Sequence, residues 1–270
     1  MNGINVQPAP YIVGPETASM PPGRMLAAYL YEARCELVRV FRSPAVVVFV
    51  LLFPVLFYLL VGVVFGLFRN PNPHVTRYTF IGFAVMATMV PGFSGFGSLL
   101  AIERGSGLHI LRRALPMPAL ANLLGKTLMS VMCVALAIPA LLLIGTLFGQ
   151  LSLTPKQMLS IWALALVGSL PFCAIGLFIG IHVSERAATA VINLCFIPML
   201  YLSGSFMPLP KSFESIANFT PPFYLQQIML GALDEPHSYV GGSVAVHWLI
   251  LGTVLAVFTL LSARRFRAYG

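Results

Sequence analysis

Six stretches of the chain contain no Asp, Glu, Lys or Arg: Ser43–Phe68, Tyr78–Ile102, Thr127–Pro155, Gln157–Ser184, Ala187–Pro210 and Pro236–Ala263. A helix needs about 20 apolar residues to cross roughly 30 Å of hydrocarbon, and each stretch is long enough. With 58% of its 270 residues hydrophobic and 9% charged, the chain carries more apolar surface than a soluble domain of this size can bury. A cytosolic enzyme, a disordered chain and a secreted disulfide scaffold are excluded on that ground. The four cysteines, Cys35, Cys133, Cys173 and Cys195, form no CxxC pair and are expected to be small buried hydrophobic residues rather than metal ligands.

The predicted fold is an all-α integral membrane domain over 43–270, with spans at about 43–68, 78–102, 122–149, 157–182, 187–208 and 241–263. A seventh charge-free stretch, Ser215–Leu233, is broken by Asn218, Pro221, Pro222, Gln226 and Gln227. It is expected to form short re-entrant helices within an external segment at about 209–235, a placement tolerated at depth only under cover of protein. Residues 1–23, rich in Pro and Gly, are expected to be a flexible cytoplasmic tail. Over 24–42, Leu26, Leu30, Ala33, Leu37 and Phe41 recur at helical spacing, with Glu32, Glu36 and Arg39 on the opposite face. This pattern predicts an amphipathic interfacial helix on the inner leaflet. Pro54, Pro91, Pro139, Pro171 and Pro198, one in each of the first five spans, are expected to favour kinks.

Six spans place both termini on one side. If that side is the cytoplasm, Arg24, Arg34, Arg39, Arg42, Arg104, Arg112, Arg113, Lys126, Arg186, Arg264, Arg265 and Arg267 lie inside, and only Arg69, Arg77, Lys156 and Lys211 lie outside. Twelve against four is a positive-inside pattern, so both termini are expected in the cytoplasm. The basic residues are scattered rather than gathered into a stripe, which argues against a nucleic-acid partner.

Gly125-Lys126-Thr127 resembles the end of a phosphate loop, but Leu120 stands where the first glycine is required. Lys126 is instead expected to be an inner-leaflet anchor at the foot of the third span. No charged residue lies mid-span, which disfavours an ion-coupled secondary carrier. Gly92-Phe93-Ser94-Gly95, together with His247 on the last span, raises the alternative of an intramembrane serine protease. The expected depths keep the Ser94–His247 pair apart, and the small residues at 92, 94, 95, 97 and 98 suit close helix packing better.

Two stretches carry a family likeness. One is Glu103-Arg104-Gly105-Ser106-Gly107, followed by Leu108, Leu111, Arg112-Arg113 and Ala114-Leu115-Pro116-Met117-Pro118. The other is Tyr201-Leu202-Ser203-Gly204-Ser205-Phe206-Met207-Pro208-Leu209-Pro210, which continues to Thr220-Pro221-Pro222-Phe223-Tyr224. With six spans and an amphipathic leading helix, the chain from Arg24 onward resembles the ABC-2 type permeases (type V, G-like fold), the membrane subunits of ABC exporters.

The resemblance implies a division of labour. This chain would bind no cofactor, while ATP and Mg would sit on two copies of a separate ABC ATPase subunit. A second permease copy would pair with the first in the lipid of a bacterial inner membrane. The loop with Glu103, Arg104, Gly105, Leu108, Leu111, Arg112 and Arg113 would couple to the ATPase. Its Ser106-Gly107 departs from the acidic residue that family loops often carry there. The resemblance also suggests a pathway near Phe53, Phe57, Phe83, Met86, Met89, Met199 and Tyr201. An external gate would form at Ser203, Gly204, Pro208, Pro221 and Tyr224. An apolar lining would favour a hydrophobic or amphipathic cargo, such as a drug, a lipid or a lipid-linked glycan.

Overall fold

The computed structural model describes residues 22–43, 48–64, 72–106, 119–205, 214–235 and 242–268. Among them every regular element is helical. Helix α1 spans Pro22–Arg42; α2 (48–64) is a π-helical turn, Val48–Leu52, running into Phe53–Val64. Helix α3 is Pro73–Gly105, α4 Ala119–Leu147, α5 Pro155–His182 and α6 Glu185–Leu202. Two short helices follow, α7 (Glu214–Ala217) and α8 (Pro221–Gly231), and then α9 (Val244–Ala268). The proposed tail, apart from its last two residues, lies outside the described residues.

Five helices, α3 to α6 and α9, are long and apolar enough to cross a membrane. The first expected span, 43–68, holds a shorter apolar helix, Val50–Val64, and its flanks lie outside the described residues. Burial sorts these helices into an inside and an outside. In α3, 82% of the apolar window is buried within the protein, and in α5 72%, against 17% in α6 and 11% in α9. The outer helices turn Leu194, Ile197, Leu249 and Leu260 outward. Faces of that kind need a lipid or protein surface against them rather than water.

Sequence explains why α3 and α5 form the centre. Between Pro91 and Ser98 helix α3 widens into a π-helical segment. Proline supplies no N–H and crowds the preceding turn, and a local change of winding accommodates both effects. Pro54 likewise follows directly on the π turn of α2, whereas Pro139, Pro171 and Pro198 stay within continuous helices. The π segment lies against α5 through glycines. A Cβ on Gly176 would sit 2.1 Å from the Gly92 carbonyl oxygen, and one on Gly180 2.7 Å from that of Gly97. The small residues near position 94 therefore serve backbone-to-backbone packing. At its N-terminus α5 starts with a capping box, in which Thr154 and Gln157 satisfy each other's backbone amides, and Pro155 follows at the first helical position.

The orientation of helix α1 differs from the one expected of a helix with its acids toward water. Glu32, Ala33 and Glu36 face inward against α4, while Leu26, Leu30, Tyr31 and Phe41 are exposed. The Glu36 carboxylate turns away from the surroundings because the buried Lys126 pairs with it. Cys133 and Cys173 are buried as expected and Cys195 is half-buried, but Cys35 on α1 is exposed.

Candidate functional site

Residues 107–118, the centre of the predicted coupling loop, lie outside the described residues, and with them Leu108, Leu111, Arg112 and Arg113. Both stems of that loop are described, and they are tied together. Lys126, in the first turns of α4, is completely buried, and its Nζ donates at 2.8 Å to Glu36 Oε1 and at 2.8 Å to Glu103 Oε1. Arg39 also donates to Glu103 and lies 3.8 Å from the Glu36 carboxylate. Glu103, at the end of α3, thus bonds to the foot of α4 across the base of the loop, and α1 clips onto both.

Local sequence builds this arrangement. Glu32, Glu36 and Arg39 recur at i, i+4 and i+7 along one side of α1. Gly125 and Ala33 let that side approach α4 closely, since a Cβ on Gly125 would lie 3.3 Å from Glu32 Cγ. Two carboxylates, one ammonium and one guanidinium sum to zero formal charge. Each buried ion would cost several kcal/mol alone, about the scale that short charge-assisted hydrogen bonds offset. The expected inner-leaflet anchor at Lys126 is therefore corrected: its side chain has no lipid contact, because the two acids draw it inward.

The next residues extend the junction. Arg104 donates to the carbonyls of Gly180, at 2.9 Å, and of Ile181. These belong to the last turn of α5, where carbonyls lack helical partners and the helix dipole favours a cation. A Cβ on Gly105 would fall 2.7 Å from the Glu185 Cβ, so glycine eases the passage of the end of α3 past the start of α6. Five helices, α1, α3, α4, α5 and α6, meet within a few residues of the loop.

A second polar assembly occupies the opposite end. Asn72 caps α3, and from its first turns Arg77 Nη1 donates at 2.8 Å to Glu235 Oε1, while His74 Nδ1 lies 2.6 Å from Glu235 Oε2. Arg77 Nη2 also reaches the Ser152 carbonyl at 3.2 Å in the α4–α5 connection. Burial alone would raise the Glu235 carboxyl, but hydrogen bonds and charge from His74 and Arg77 outweigh it and hold the group below its ordinary 4.5. A carboxyl lowered on folding stabilises the fold above its unfolded value, and that stability is lost as pH falls through the folded value. Glu235→Gln should therefore melt earlier than the parent at pH 7, and the gap should close as the pH falls below 4.5. Melting curves of the two proteins across pH 3–7, about the range over which carboxyls titrate, test this; a gap that widens in acid would refute the assignment.

Of the predicted external gate residues, Gly204 meets α8 through Gln226, whereas Tyr224 donates to the Asn218 carbonyl at 2.6 Å, and Pro208 lies outside the described residues. The Gly204 carbonyl accepts from Tyr78 at 2.6 Å and from the Gln226 amide at 3.3 Å, and the Gln226 carbonyl accepts from Ser205. Gly204 has a φ of 75°, and a Cβ on Gly82 would lie 1.5 Å from the Ser205 oxygen. This turn presses onto α3 and holds the buried α8 below it. Glu235 and His74 were not singled out from sequence, and Gln226 was read only as a polar break in a charge-free stretch.

The predicted pathway residues divide. Phe83, Met86 and Met89 are packed in the core of this chain, Phe53 and Phe57 stack half-buried at 5.8 Å, Met199 is half-buried and Tyr201 is exposed. A groove of ≈480 Å³ opens between α5, α8 and α9, lined by Ser160, Leu164, Ile228, Gly231 and Trp248. His247, next to Trp248, is buried and packs on Tyr224 with ring centroids 5.6 Å apart. The backbone around Ser94 instead meets Phe172 and Gly176. Measured along α5 from the Ser160–Leu164 region, those contacts are about twelve residues away, or roughly 18 Å at the helical rise. The protease pair is not assembled. Among the described residues no cluster of three His, Cys, Asp or Glu side chains converges as a metal site would require.

Residues 31–233 match the ABC-2 type transporter family. The chain is also 24% identical, over 238 residues, to a protein of Bacillus subtilis (strain 168) named "Putative transport permease YvfS", an alignment covering 86% of this chain and 94% of that one.

Proposed function

The chain belongs to the ABC-2 type transporter family, and we propose that it is the permease subunit of an ATP-driven exporter whose nucleotide is hydrolysed on a separate ABC ATPase. In this reading it has six spans, with α2 as the core of the first. It sits in a bacterial inner membrane with both termini in the cytoplasm, pairs with a second copy and binds two ATPase subunits. The cargo is hydrophobic or amphipathic, in keeping with the apolar residues along the proposed pathway. Movement of cargo follows when closure of the ATPases displaces the loop between α3 and α4.

One observation carries the mechanism. Glu103 and Lys126, one at each stem of that loop, share an ionic lock with α1, and Arg104 reaches from the same stem to the end of α5. A push on the loop is therefore delivered to several helices at once, because displacing one buried charge without its partners is costly. Conversely, α8 and the Gly204 turn brace the far end, where an exit would have to open. The positive-inside charge pattern supports a cytoplasmic position for the lock.

The test needs the permease with its ATPase. Reconstituted together, they should show ATP hydrolysis that responds to the permease. Arg112→Glu with Arg113→Glu should leave the folded permease in the membrane but lower the stimulated rate about tenfold or more, as loss of complementary interface charge does. Unchanged hydrolysis and transport in the double variant would remove the loop from the mechanism. Transport that persists without ATP and collapses with the proton gradient would replace the reading with an ion-coupled carrier.

A further inference from the structure

The exposed side of α1 has a composition that its sequence disguises. Counted along the helix, α1 carries Arg24, Arg34, Arg39 and Arg42 against Glu32 and Glu36, a modest excess of positive charge. The fold changes that count at the surface. Glu36 is 1% exposed and Glu32 8%, both turned onto α4, and Glu36 is neutralised there by Lys126. The part of α1 left facing outward shows Arg24, Arg34 and Arg42 beside Leu26, Leu30 and Phe41, with Met25, Tyr31, Cys35 and Val38 also exposed. No carboxylate remains on it.

We infer that this face of α1 binds anionic phospholipid of the cytoplasmic leaflet, its arginines pairing with headgroups while the leucines and aromatic rings enter the acyl boundary. The inference rests on the transporter reading for the side of the membrane on which α1 lies. Complementary charge favours this occupant. An apolar helix face rimmed by guanidinium groups and cleared of acids attracts a negative surface, and guanidinium suits phosphate in particular. Leu26 and Leu30, each 62% exposed, supply the apolar area that such a helix buries in the interface. The device depends on the ionic lock, since Lys126 holds Glu36 away from the lipid. Headgroup binding at α1 would then reach the coupling loop through Glu36 and Arg39, making anionic lipid a participant in coupling.

The full-length protein carrying Tyr31→Trp, placed in nanodiscs, tests the surface without any ATPase. The reporter signal is the fluorescence difference from the parent, which removes the contribution of Trp162 and Trp248. Brominated phosphatidylglycerol and brominated phosphatidylcholine are compared at equal mole fraction in otherwise identical phosphatidylcholine discs. The expected result is about twofold or greater excess quenching by the anionic lipid, lost in Arg24→Gln/Arg34→Gln/Arg42→Gln and reduced at high salt. Leu26→Ser/Leu30→Ser, which leaves the arginines in place, should lower quenching by both lipids. Equal quenching by the two lipids would overturn the inference by showing lipid contact without charge selection. Absence of quenching would overturn it too, placing protein rather than lipid over α1. Both readouts are independent of ATP hydrolysis, so either failure leaves the transporter reading to its own test.

Discussion

Lys126→Met is expected to lower the stability of the folded chain by about 3–5 kcal/mol, the usual cost of stranding buried charges. The lysine is completely buried and holds two carboxylates at 2.8 Å each. Removing it leaves Glu36 and Glu103 side by side without the buried ammonium they share, while Arg39, which pairs with both, is half-exposed. Like charges at that separation cannot both stay ionised cheaply, so α1 should detach or one acid should take up a proton. Loss of monodisperse protein in detergent and a fall in melting temperature are the readouts. Lys126→Met with Glu36→Gln and Glu103→Gln removes the charges together and should recover most of the stability, because a whole neutralised cluster is worth far less than its broken parts. That triple variant separates folding from mechanism: if the lock transmits force, it should fold yet respond weakly to ATP. Full coupling in a well-folded triple variant would reduce the lock to a structural brace.

Gly176→Val is expected to be comparably severe for a different reason. A first carbon at position 176 already falls 2.1 Å from the Gly92 oxygen, and the atoms it meets are backbone. No rotamer change can relieve that contact, so α3 and α5, the two most buried spans, must move apart. Overpacking of this kind costs about 1–3 kcal/mol in ordinary cores, and backbone collisions belong at or above the top of that range. Gly252→Ala is the control, since a Cβ there meets nothing within 4 Å and the protein should melt unchanged. If Gly176→Val melted with the control, the close approach of the π segment to α5 would be wrong.

Much of the architecture was legible without coordinates. Absence of charge over long runs marks lipid-exposed or buried helix directly, because a lone charge in hydrocarbon is so unfavourable. Pro221 and Pro222 kept their own stretch from reading as a span. The glycines near Ser94 read as packing residues, and Gly92 and Gly97 pack as such on α5. Lys126 was misjudged on sound local grounds. A lysine just before a charge-free run ordinarily extends to the headgroups, and nothing nearby in sequence marks Glu36, 90 positions earlier, as its partner. The brace at the opposite end was hidden in the same way, since His74 and Glu235 stand 161 positions apart. Phe83, Met86 and Met89, proposed for a pathway, proved to be core residues of the single chain; apolar side chains on a span look alike whether they face lipid, a cavity or another helix.

Composition and charge spacing alone established that this chain lives in lipid, that its helices cross it, and which end of each is basic. These follow from the free energy of transferring charge and backbone into hydrocarbon, which acts on each segment separately. The pairing of buried charges came from the fold, because pairing depends on which helices touch, and helix contacts are set by shape across the whole bundle. Gly125 and Ala33 had to meet before Glu36 could reach Lys126. Once they met, the acidic side of α1 turned inward and its arginines and leucines were left outside.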